Sequence, residues 1–196
     1  MTMTDMTRRS LLHAFGIASV TSLLPAQTTG ASKVAVANPG DSRFPYATSE
    51  RKWLMPCKLT AEDSGGTLSA FELHALPQSG PARHVHHRED EWYYVLAGDF
   101  IFHAGDEQHQ LGPGASIWLP RGIPHVWANT SNLEGKLILV CQPGGFEKFF
   151  DEMGSAMAKL PMDSPSNNEV MKQVMAKYGM EWLGPPLMKP LRAPLQ

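Results

Sequence analysis

Hydrophobic and polar residues alternate in short runs between 51 and 142, and each run stops at a cluster of Gly, Pro, Asp or Asn. The runs are "TLSAFELHAL" (67–76), "EWYYVLA" (91–97), "DFIFHA" (99–104), "EQHQLG" (107–112), "ASIWLP" (115–120), "HVWAN" (125–129) and "KLILVC" (136–141). β-rich runs of this kind, bounded by turn residues, predict strands. Runs this short and regular predict an all-β sandwich or small barrel. "HAGDEQ" reads as a hairpin turn, and "LPRG" places Pro120 and Gly122 at the second and fourth positions of a type I turn.

The period changes after Gly144-Gly145. Phe146, Phe149, Phe150 and Met153 fall on one helical stripe, and a second helix is predicted from about Asn167 to Tyr178, with Val170, Val174 and Tyr178 on one side and Gly179 as its stop. The tail "GPPLMKPLRAPLQ" is proline-rich and expected to be extended. At the other end, Arg8-Arg9 precedes an apolar run from Leu11 to Leu24 broken by Pro25, which resembles a twin-arginine export signal. The run is too short and too weakly apolar to predict a membrane span. Ala35-Val36-Ala37 supplies a small-x-small cleavage pattern, with Ala26 and Ala31 as alternatives. The expected organisation is therefore a leader over 1–37, a linker over 38–50, a β-domain over 51–145, and helices with a proline-rich tail over 146–196. The resemblance implies a periplasmic or secreted bacterial protein, with no membrane attachment once the leader is removed.

Composition narrows the function classes. At 196 residues, 42% hydrophobic and 18% charged, the chain can bury one ordinary core. A net charge of -2 leaves no basic field for nucleic acid. Cys57 and Cys141 flank the β-region; export would permit a disulfide between them, and two buried free thiols are the alternative.

The chemistry is concentrated in "HVHHREDEWYYVLAG" (84–98). His84 and His86 are two apart and share one face of a strand. Glu91 has the opposite parity, but the polar break "HRED" allows a turn to reset the alternation. Pro120 and Gly122 turn the chain so that His125 enters the same space. Three imidazoles and a carboxylate suit Fe, Mn, Ni, Cu, Co or Zn. Tyr93, Val95 and Trp127 share the parity of Glu91 and His125 and are candidate walls of a substrate pocket, or simply core. His87 should face solvent, and His74, His103 and His109 should be structural or exposed. Asn129 is expected to fasten a turn.

These residues carry a family resemblance. His84-x-His86, Glu91 and Gly98 resemble the first motif of the cupins, and Gly114, Pro120, Gly122, His125 and Asn129 resemble the second. The pattern departs once, with Gln78 where the family has glycine. The resemblance implies a cupin-type small β-barrel, or double-sheet jelly roll, with one divalent transition metal held by His84, His86, Glu91 and His125. The single short domain followed by "GGFEKFF" resembles the quercetin 2,3-dioxygenase-like monocupins. That resemblance implies oxygenolytic cleavage of a hydroxylated aromatic or enolisable small molecule, with dioxygen as partner and Glu91 as the catalytic base. Two alternatives stay open: a non-redox sugar isomerase or epimerase, and a periplasmic cupin that captures a metal or small ligand without turnover. Cupins commonly pair through sheet edges, which implies a homodimer.

Overall fold

The computed structural model describes residues 34–48, 54–161, 164 and 166–188; the expected leader, but for residues 34–37, lies outside them. Ten strands form two five-stranded sheets. In chain order they are β1 (Cys57–Leu59), β2 (Ser69–Ala75), β3 (Ala82–His86), β4 (Asp90–Ala97), β5 (Phe100–Ala104), β6 (Glu107–Leu111), β7 (Ser116–Leu119), β8 (His125–Asn129), β9 (Gly135–Gln142) and β10 (Met180–Pro186). One sheet runs β1-β2-β9-β4-β7 and the other β10-β3-β8-β5-β6, and every pairing is antiparallel. This is the double-sheet jelly roll that the alternation and the motifs predict.

The alternation explains the packing. β2 and β9 switch strictly between buried and half-buried positions, so Phe71, Leu73, Leu137 and Leu139 point into the sandwich. Facing them, β5 and β8 contribute Phe100, Phe102 and Trp127. β8 is buried at all five positions, and its Asn129 is fully enclosed. The Asn129 amide donates to the carbonyls of Ala75, Leu76 and Leu133 and accepts from Ser131 N and Oγ, fastening two loops as expected.

Two helices, α1 (Glu147–Met157) and α2 (Asn167–Lys177), close one end of the sandwich. Phe150 of α1 meets Phe71 edge-on with ring centroids 5.0 Å apart. Val174 and Met175 are the buried residues of α2, while Tyr178 packs on Phe149 just beyond its end. Gly179 stops α2 at φ +74, and a Cβ there would lie 2.6 Å from Arg88 Nε.

Three local findings correct the sequence reading or decide between its alternatives. β1 and β10 are additional strands, and β10 takes the first part of the proline-rich tail into the sheet as the edge partner of β3. The turn before β8 closes from Ile123 N to Pro120 O, one residue later than expected. Gly122 is then its third residue, with the positive φ of +82 that a type II turn requires. Cys57 and Cys141 are both buried free thiols, so no disulfide joins them.

Candidate metal centre

The site is assembled from both sheets. β3 directs His84 and His86 inward, and β8 places His125 opposite His84 in register. Glu91, the second residue of β4, comes from the other sheet, where it pairs with Cys141 and Leu119. The break at 87–89 does reset the alternation, leaving His87 exposed against Glu181 and bringing Glu91 inward. All four ligand candidates are buried, at 5% exposure or less. One ligand atom from each lies within 4.8 Å of the others.

The outer ring nitrogens fix what faces inward. His84 Nδ1 is 2.7 Å from Ala82 O, and His125 Nδ1 is 2.9 Å from Ile123 O. A carbonyl only accepts, so both Nδ1 atoms carry the proton and both Nε2 atoms present lone pairs. His86 Nδ1 reaches Glu89 Oε2 at 3.4 Å with the same consequence. His84 Nε2 and His86 Nε2 then face each other at 3.1 Å, and His125 Nε2 lies 3.0 Å from Glu91 Oε2. His125 Nε2 accordingly has no hydrogen bond, since lone pairs oppose it. Four potential ligand atoms converge here, and a shared cation is a partner that would satisfy them together. The donor set therefore fits a divalent transition metal.

Burial and neighbouring charge act on these groups in different directions. Burial, reinforced by His125 and His86, pushes the His84 imidazole down to about 3, so it is neutral and free to ligate. Burial acts to raise the Glu91 carboxyl, but His86 and His125 outweigh it and hold it at about 2. For His86, burial is overcome by the Glu91 and Glu89 carboxylates, which raise it.

The centre forms one wall of a cavity of about 320 Å³. Tyr93 and Trp127 line it, and the Tyr93 hydroxyl donates to Glu91 Oε2 at 3.3 Å. Trp127 Nε1 approaches the Tyr93 hydroxyl and offsets part of the rise that burial gives it, yet reaches no hydrogen-bond geometry. Val95 is a correction: it is fully buried, does not line the cavity, and pairs with Leu137 in the core. Parity sets the face of a strand but not the depth along it.

The sequence reading missed other contributors. Glu89 holds His86, and Cys141 Sγ lies 3.9 Å from Glu91 Oε1. The Cys141 thiol is pushed well up by burial and then by the Glu91 charge, and burial with the Glu147 charge takes Cys57 to about 12. Phe146, whose ring is 5.0 Å from that of His86, joins Phe149, Phe150, Met153, Met171 and Met175 in roofing the cavity. The aromatic stripe at 146–153 was a visible signal; its proximity to the histidines was not.

Residues 71–141 match the family model described as a cupin domain. The chain is 29% identical over 87 residues to Protein SchB of Streptomyces halstedii, covering 43% of this chain and 63% of that protein. It thus spans less than two thirds of that relative's length. Solved structures similar to it include KdgF from Halomonas sp., at 17% identity over 59% of this chain and 98% of that one with a TM-score of 0.47. A predicted oxalate decarboxylase from Thermotoga maritima is also similar, at 25% identity over 45% of this chain and 78% of that one with a TM-score of 0.41.

Proposed function

We propose that this chain, whose residues 71–141 match a cupin-domain family model, is a metal-dependent oxidoreductase. The reaction proposed is dioxygenation of a hydroxylated aromatic, flavonol-like, or of another enolisable small molecule. The observation that carries the reading is that His84, His86 and Glu91 of the four-residue cluster stand in the wall of a cavity whose other lining residues are mostly Leu, Met, Phe, Ala, Tyr and Trp, with His74 and Ser79 polar and no Lys or Arg. A flat apolar body fits such walls better than a polyol, which would leave its hydroxyls without partners.

His84, His86, His125 and Glu91 would hold the ion, which when bound supplies Lewis acidity and, if redox-active, electron transfer. Glu91 is the base: its carboxylate is ionised throughout the neutral range, and it accepts the proton of the substrate hydroxyl as the enolate forms. Tyr93 steadies the carboxylate through Oε2. The Phe146, Phe149 and Phe150 rings exclude water above the site and give a planar substrate faces to pack on.

The test is oxygen uptake by metal-loaded protein across a panel of flavonols and enediols, with metal content measured alongside. Glu91→Gln should lose turnover by about 100-fold or more while flavonol binding stays within a few-fold. Absence of oxygen uptake with every metal in the series overturns the reading.

A further inference from the structure

The three imidazoles of the metal centre are not held alike. His84 Nδ1 and His125 Nδ1 each meet a backbone carbonyl, that of Ala82 and that of Ile123. His86 Nδ1 faces a carboxylate instead, with Glu89 Oε2 at 3.4 Å. Glu89 stands in the break between β3 and β4, yet its side chain is only 13% exposed. The backbone around it is tied on three sides: His87 N donates to Gly179 O, Gly122 N to His86 O, and Arg121 N to Asp90 Oδ1. The carboxylate is therefore presented to the imidazole by a braced turn.

A carbonyl and a carboxylate both fix the tautomer of the histidine they hold, but only the carboxylate adds a full negative charge and raises the basicity of the ligating nitrogen. Glu91 already supplies one such charge among the four ligand candidates. Glu89 brings a second to the edge of a site whose donors suit a divalent ion. No nearby cation cancels it. The cavity wall has no Lys or Arg, and the two arginines of this region are turned to other partners. Arg121 Nε and Nη2 donate to Asp90 Oδ1 and Oδ2 at 3.0 and 2.7 Å, and Arg88 Nη1 reaches Lys177 O at 3.4 Å.

We propose that Glu89 is a positioning residue acting through His86, which tightens the hold on a divalent ion and, by completing the neutralisation of its charge, weakens the attraction of that ion for anions. The site then favours ligands that arrive neutral over dianions such as dicarboxylates. This rests on the metal-binding part of the proposed function and is independent of the dioxygenase step.

Zinc and azide are the probes, used on the full-length chain. Glu89→Gln keeps an acceptor for the Nδ1–H and removes the charge. Its zinc affinity, read by chelator competition, should fall by about 10–100-fold. Azide should bind more tightly to zinc-loaded Glu89→Gln than to zinc-loaded wild type, a change that a merely structural role would not produce. In the zinc-loaded wild type, the Nδ1 proton of His86 should resonate downfield of those of His84 and His125, as a charge-assisted bond requires. Should the variant fold poorly, that wild-type resonance decides. Unchanged zinc affinity, unchanged azide affinity, or a His86 proton no further downfield than the other two overturns the proposal. Zinc binding that ignores Glu89 overturns this inference alone, whereas a wild type that binds no divalent metal overturns the proposed function with it.

Discussion

Gln78 stands where the motif has glycine, and its φ of +52 is the left-handed conformation glycine adopts freely. The backbone there costs a glutamine about 1 kcal/mol. The side chain offsets this by donating Nε2 to Thr130 O at 2.6 Å and Ser131 O at 3.3 Å. Replacing Gln78 with Gly should leave stability within about 1 kcal/mol, because relieved strain and lost bonds oppose each other. Gln78→Ala keeps the strain and loses the bonds, so it should be the less stable variant by about 1 kcal/mol in urea unfolding. The reverse order would show that the bonds are unimportant. Parity made His84 and His86 legible as a pair, whereas Glu91 needed the polar break to reset the alternation and His125 the turn at Pro120 and Gly122. Glu89 was not legible, since no period tells where a turn residue aims.

At the scale of elements, the segment before β1 is tied to the turn after it by one carboxylate. Asp63 accepts from Arg43 Nε at 2.7 Å and Nη2 at 2.5 Å, and from Thr60 N and Oγ1. The Arg43 hydrogen bond, working against burial, holds the Asp63 carboxyl well below the usual carboxylate range. Its folded pKa is thus lower than its unfolded one, and the stability it contributes is complete above about pH 4 and lost as the pH falls below that. Asp63→Asn should cost about 1–2 kcal/mol at neutral pH and flatten the acid limb below pH 4, read from melting temperature against pH. Seven strands were legible to within two residues at either end because each is a β-rich run bounded by turn residues. β1, with three residues, is too short to show a period. β10 contains Gly184, Pro185 and Pro186, which read as breakers. They are tolerated because β10 is an edge strand with β3 as its sheet neighbour, and its register slips at Gly184 and Pro186.

For the whole molecule, we propose that the expected homodimer forms at the β7 edge. β7 is a sheet edge with no charge among Ser116, Ile117, Trp118 and Leu119, and Trp118 is 51% exposed beside Trp92. Uncharged edges invite pairing. Sedimentation should give twice the chain mass, and Trp118→Lys should return monomer without loss of fold; a wild-type monomer at high concentration removes the expectation. The two-sheet plan was legible because alternating runs must bury one face. The closure of one end by α1 and α2 was not, because a helical stripe shows that it is covered but not by what.

One consequence follows from the order of strands. β3, which bears His84 and His86, meets β8 in register only at His84 and His125, whereas β10 covers its other edge from Ala82 to His86. A polypeptide leaving the ribosome displays every imidazole and the carboxylate long before the segment that clamps their strand has been made. Firm ion capture would therefore wait until β10 has been made, and a chain cut short before β10 that still holds all four ligand candidates should grip metal poorly.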